Sequence, residues 1–112
     1  MITTHILDVA KGKPASGVPV KLEVLEHAKM WTELGSCVTD GDGRAKNLLP
    51  ADVTLKSGVY RLTFDTAAYF IPLQVENFYP EVVVNFNVID GTQHYHLPLL
   101  LSPFGYSTYR GS

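Results

Sequence analysis

The segment "HYHLPLLLSPFGYSTYRGS", residues 94–112, gathers residue types that do proton chemistry and ligand contact. His94 and His96 are one residue apart, so on a strand both imidazoles project from the same face. A third histidine, His5, lies in "TTHILDV", and Arg44 directly follows the Asp-Gly-Asp-Gly run of "VTDGDGR". A neutral imidazole, with an ordinary pKa near ~6.5, can take a proton from water at neutral pH. A guanidinium can steady developing negative charge. Three chemistries fit these residues. One is a zinc site of three histidines, for which the His-x-His spacing is loose. The second is a metal-free hydrolytic site with histidine as base. The third is a carrier or interaction module whose polar face lines an interface. No acidic cluster suggests another metal. The Asp-Gly-Asp-Gly run lacks the remaining ligands of a calcium loop and reads as a turn. His27, in "LEHAKMW", falls in an expected loop.

Two strands must position the C-terminal groups. Along 94–101, Tyr95, Leu97, Leu99 and Leu101 form a core face, leaving His94, His96, Pro98 and Leu100 opposite. Two imidazoles and a leucine on the face away from the core indicate a surface that meets a ligand or another subunit. Pro98 has no N–H and belongs at a sheet edge or an unpaired position. In the last run, Gly105, Ser107, Tyr109 and Gly111 share one side; Phe104, Tyr106, Thr108 and Arg110 share the other. Glycine at 111 permits close backbone approach to a ligand.

The rest of the chain repeats the strand-and-turn pattern. Runs at 2–9, 18–26, 30–39, 58–64 and 81–89 are β-branched or alternate apolar with polar residues. "DTAAYF" (65–70) is the one helical turn, with Asp65 as N-cap and Pro72 limiting its length. "DGTQ" between 81–89 and 94–101 reads as the turn of a hairpin. Repeated short strands with one short helix predict an all-β sandwich in a single domain over 1–112. At 112 residues, the chain can bury roughly two-thirds of its unfolded surface without staples. A net charge of −2 gives no electrostatic reason to expect nucleic acid or an anionic membrane. The lone cysteine, Cys37, cannot form an intrachain disulfide and suits a reducing compartment as a buried thiol. No signal peptide or apolar span of about 20 residues is apparent, so the cytoplasm is the expected location.

"HYHLPLLLSPFGYSTYRGS" resembles the C-terminal signature of the 5-hydroxyisourate hydrolases, a branch of the transthyretin-related family. "THILDVAKGKPASGVPVKLE" is similar to that family's N-terminal signature and "VTDGDGR" to its central one. "GVYRLTFDTAAYF" and "FYPEVVVNF" follow in the expected order, so the resemblance covers the whole chain. Tyr-Arg-Gly-Ser after His-Tyr-His distinguishes the hydrolases from the hormone carriers of the same fold.

The resemblance implies a sandwich of two four-stranded sheets, assembled as a homotetramer, a dimer of dimers with sites at the dimer–dimer interface. It implies metal-independent hydrolysis of 5-hydroxyisourate, with no cofactor; a transthyretin-type carrier without catalysis is the alternative. By position, the family's functional residues fall on His5, Arg44, His96 and Tyr109–Ser112. In this reading His96, with His5, activates water, and Arg44 polarises the attacked carbonyl. Ser112 and its carboxylate close the pocket. His94, Pro98, Leu100, Ser107, Tyr109, Arg110 and Gly111 are the expected substrate contacts, with His94 ranked below His96.

Overall fold

A computed structural model describes residues 1–112, the side chain of Ala28 apart. The strands are β1 (Ile2–Asp8), β2 (Lys13–Pro14), β3 (Pro19–Leu25), β4 (Trp31–Val38), β5 (Arg44–Ala45), β6 (Gly58–Phe64), β7 (Val82–Val88), β8 (Tyr95–Ser102) and β9 (Gly105–Thr108). They form two sheets. One runs β4-β3-β6-β7; the other runs β2-β1-β8-β9, with β5 also paired to β1. The second therefore has five strands where four were expected. The fifth arises because β2 and β5 are two-residue pieces that share one edge of β1, at Leu7–Asp8 and Thr4–His5 respectively.

The inner faces enclose one apolar core. Ile2 and Ile6 of β1, and Leu99 and Leu101 of β8, meet Leu22, Leu62 and Phe64 from the other sheet's strands. The core face expected for 94–101 is buried as expected: Tyr95, Leu97, Leu99 and Leu101 are all shielded. The helix α1 (Thr66–Phe70) starts where Asp65 accepts the Ala68 N–H at 3.1 Å. It buries Tyr69 and Phe70. The Tyr69 hydroxyl donates to Asp8 Oδ2 at 2.7 Å, which accounts for a buried carboxylate at the end of β1. Glu23 is also buried. Arg61 grips its carboxylate through Nε at 2.7 Å and Nη2 at 3.2 Å, and Trp31 stacks on the guanidinium at 4.1 Å.

The hairpin expected between 81–89 and 94–101 does not form. Asp90 does begin a turn, accepting the Thr92 N–H on Oδ1 at 2.9 Å. That turn, however, carries the chain from one sheet to the other. β7 pairs with β6, whereas β8 pairs in parallel with β1, from Ile2 with Tyr95 to Asp8 with Leu101, and antiparallel with β9. At the crossing, the Tyr95 hydroxyl takes the N–H groups of Ile89 and Asp90 at 3.2 Å each and donates to the Asp90 carbonyl at 3.0 Å. One phenol thus satisfies backbone groups that a hairpin ladder would have paired.

The "TDGDGR" segment is the turn that its composition predicts. Asp40 Oδ1 accepts the N–H groups of Asp42 at 2.9 Å and Arg44 at 3.0 Å, and the Gly43 N–H returns to the Asp40 carbonyl at 2.9 Å. Gly43 has φ +74°, and a Cβ there would lie 2.5 Å from the Ile6 carbonyl oxygen. The turn must lie flat against β1, where the Ile6 N–H donates to the Gly43 carbonyl at 2.8 Å. Gly43→Ala combines left-handed strain with a backbone clash. It should destabilise the fold by about 2 kcal/mol or more, read as a lowered denaturation midpoint. An unchanged midpoint would show that the turn is not held against β1.

Candidate active site

The outer face of the five-stranded sheet follows from register. Alternation along β1 sends Ile2, Thr4, Ile6 and Asp8 inward and Thr3, His5 and Leu7 outward. Parallel pairing then sets Thr3 beside His96, His5 beside Pro98 and Leu7 beside Leu100. Across β1's other edge, β5 sets Arg44 beside His5. On the far side, β9 sets Ser107 beside Leu100. Six of the expected site residues, from β1, β5, β8 and β9, therefore meet on one face: His5, Arg44, His96, Pro98, Leu100 and Ser107.

Pro98 is not on an edge strand, yet its nitrogen is unpaired. Tyr95 N–H bonds to Met1 and Leu101 accepts from Val9, so odd positions of β8 bond towards the β1 side. Even positions bond towards β9, where the Gly111 N–H donates to the His96 carbonyl at 2.8 Å. The missing Pro98 N–H falls between the Leu99–Thr108 pair and the His96–Gly111 bridge. The ladder is open there, and the Thr108 hydroxyl donates to the Pro98 carbonyl at 2.7 Å. Beyond the opening the tail closes down on the site. A Cβ on Gly111 would lie 2.9 Å from His96 Cδ2 and 3.0 Å from Pro98 Cγ. The close approach expected of Gly111 is thus made to His96 and Pro98.

A cleft of about 380 Å³ opens beside this contact, with Thr3, Arg44, Lys46, His94, His96 and Ser112 among its lining residues. Thr3 Oγ1 lies 2.8 Å from His94 Nε2 and 2.8 Å from His96 Nδ1. Burial holds the half-buried His96 imidazole below its usual pKa, and the positive charge of Arg44 lowers it further, followed by His94 and His5. His96 is therefore neutral at neutral pH. With Nδ1 engaged by Thr3, Nε2 is left as the nitrogen free to act. No group of three or more metal-ligating side chains occurs among the described residues. The two ring nitrogens that face each other share a hydroxyl. The arrangement offers a neutral base, a fixed cation and room for a small polar ring.

Two expected contacts lie elsewhere. Tyr109 and Arg110 line a separate cavity of about 240 Å³ with Val84, Phe86, Tyr95 and Leu97. The Arg110 guanidinium sits 4.5 Å over the Tyr95 ring and donates to Gln93 Oε1 at 3.0 Å. Neither residue lines the histidine cleft. The strand ends at Thr108, so simple alternation no longer assigns sides beyond it. Conversely, Thr3, Lys46 and Asn47 line the cleft and were not singled out from the sequence. Thr3 carried a readable signal, being two residues from His5 and so on the same face of a strand. Lys46 and Asn47 carried none.

The family model described as HIUase/Transthyretin matches residues 2–111. A Caenorhabditis elegans protein described as a probable 5-hydroxyisourate hydrolase is 50% identical, over 99% of this chain and 81% of that protein. The structure of Klebsiella pneumoniae 5-hydroxyisourate hydrolase superposes with a TM-score of 0.83 at 37% identity, covering 99% of this chain and 98% of that one. Sea bream transthyretin in complex with thyroxine superposes with a TM-score of 0.91, also at 37% identity, covering 98% and 93%.

The electrostatics of the cleft can be measured directly. In an NMR titration His96 should protonate below pH ~6.5, because burial and Arg44 both disfavour the imidazolium. Arg44→Gln removes a repelling cation, so the His96 midpoint should move up. A midpoint at or above the ordinary histidine value in the parent protein would contradict this account.

Proposed function

This chain belongs to the HIUase/transthyretin family, and from that membership and the cleft geometry we infer that it hydrolyses 5-hydroxyisourate in urate catabolism. The observation that carries the reading is the meeting of His5, Arg44 and His96 on one sheet face, beside a cleft that also holds Ser112. Fold alone would not carry it, because the thyroxine-bound transthyretin shares the fold as closely as the hydrolase does.

His96 Nε2 takes a proton from water, and the resulting hydroxide attacks a ring carbonyl of the six-membered cyclic amide. Arg44 polarises that carbonyl and steadies the oxyanion of the tetrahedral intermediate. The carbon–nitrogen bond then breaks, and the departing ring nitrogen takes a proton from His96. The product is 2-oxo-4-hydroxy-4-carboxy-5-ureidoimidazoline. His5, paired with Arg44, assists in orienting the water, and Ser112 closes the cleft over the substrate. No step requires a metal or cofactor.

The active form is a homotetramer, a dimer of dimers with this sheet face at the dimer–dimer interface. Leu7 and Leu100, side by side and half-exposed in the single chain, support that reading. Pro98, Leu100 and Ser107, which lie along the face beyond the cleft, contact substrate or the neighbouring subunit there, and His94 borders the cleft. Tyr109 and Arg110 support the tail that carries Gly111 and Ser112. The whole chain acts as one hydrolase domain, and the free thiol of Cys37 suits the cytoplasm.

Generating 5-hydroxyisourate in place from urate, and following its disappearance with and without the protein, tests the function. The hydrolase reading predicts a large acceleration that survives dialysis against a strong chelator. A transthyretin-type carrier predicts none. His96→Ala should lower kcat/KM by about 10²–10⁴-fold, the usual worth of a general base. Retained turnover would remove His96 from that role. Leu100→Glu places a charge on the proposed interface and should cost both tetramer and turnover, read by sedimentation and the same assay. A folded, fully active dimer would count against an intersubunit site.

A further inference from the structure

Thr3 is buried on the outer face of β1, and its hydroxyl is within hydrogen-bond distance of two imidazoles at once. A threonine hydroxyl carries a single proton, so in a continuous chain it donates to one ring and accepts from the other. The two possible directions leave opposite chemistry at His96. If His96 Nδ1–H donates to Thr3 and Thr3 donates to His94 Nε2, then His96 Nε2 presents a lone pair. In the reverse direction His96 Nε2 carries the proton and cannot act as a base.

We propose that Thr3 is a positioning residue for the hydrolysis, holding His96 with Nδ1 protonated and Nε2 free, and joining it to His94 as a proton outlet. This rests on the functional reading above. When water is deprotonated, its proton binds His96 Nε2. The Nδ1 proton passes to Thr3 Oγ1, the Thr3 hydroxyl proton passes to His94 Nε2, and exposed His94 releases its Nδ1 proton to solvent. His96 is then neutral with Nε2 protonated, the form that donates to the departing ring nitrogen. The reverse transfer, with a solvent proton entering at His94, restores the starting state, so protons balance over one turnover.

The arrangement answers a difficulty in the site. His96 is half-buried and shares its surroundings with the cations Arg44 and Lys46, with His5 and His94, and with the Met1 and Ser112 ends of the chain. An imidazolium held there is disfavoured by burial and by Arg44. Moving the charge through one hydroxyl to an exposed ring relieves that cost. Hydrogen-bonded imidazole chains of this kind need short donor–acceptor distances, and both contacts are 2.8 Å.

The test pairs a spectrum with kinetics. Nitrogen-15 NMR of histidine-labelled protein, above the His96 midpoint, should show a protonated Nδ1 and a bare Nε2 on His96. Thr3→Val keeps β-branched shape and removes the hydroxyl; it should abolish this tautomer preference and lower kcat by about tenfold, leaving KM within about twofold. Thr3→Ser should restore both. A protonated Nε2 in the parent spectrum would overturn the proposal, as would Thr3→Val with parental kcat and pH profile. The spectra of the parent protein decide the tautomer even if Thr3→Val does not fold. Failure of the parent protein to consume 5-hydroxyisourate would instead overturn the functional reading.

Discussion

The parallel pairing of β1 with β8 is the constraint on which the site depends. It joins the beginning of the described chain to its last long strand and sets seven residue pairs in register. Burial fixes that register. A slip of one residue would turn Ile2 and Ile6, or Leu97, Leu99 and Leu101, away from the core, at roughly 1.5–3 kcal/mol for each large side chain exposed. The outer face inherits the same precision without contributing the energy. Thr3 lies against His96, and His5 against Pro98, because the residues on the inner side have nowhere else to go. The Asp40–Gly43 turn then extends the arrangement by one more strand, and Arg44 arrives beside His5.

Electrostatics follow from this placement. Three histidines and an arginine share one surface, and protonating His96 there is opposed by burial, by Arg44 and by the other two rings. The result at His96 is a neutral imidazole beside a permanent cation, which is the combination that carbonyl hydrolysis needs. A base must be free at working pH, and a positive group must wait where negative charge will develop. Burial and Arg44 act on His96 in the same direction. A flat, carbonyl-rimmed ring is attracted by the same field that keeps the base unprotonated.

Local chemistry made much of this legible in the sequence. Alternation along 94–101 separated the core face from the histidine face, and Asp65 and the Asp-Gly-Asp-Gly run behaved as cap and turn. Pairing was less legible. The "DGTQ" turn looked like a hairpin because turn residues report only local bending. Which strand β8 joins is decided by long-range burial against β1. β2 and β5 are too short to carry any periodic signal. Thr3 reads as an ordinary β-branched residue until register places it between two imidazoles. Tyr109 and Arg110 departed from expectation where the open ladder at Pro98 ends simple alternation, and Arg110 stacks on Tyr95 instead.

The central claim is that this outer face, and not the cavity beside Tyr109, receives the substrate ring. A crystal structure with an unreactive, flat cyclic ureide tests it most directly. The account predicts the ring in the histidine cleft, with a carbonyl oxygen within hydrogen-bond distance of Arg44 and a water within reach of His96 Nε2. A ring bound among Val84, Phe86 and Tyr109, or His96 turned with Nε2 away from the ring, would contradict it.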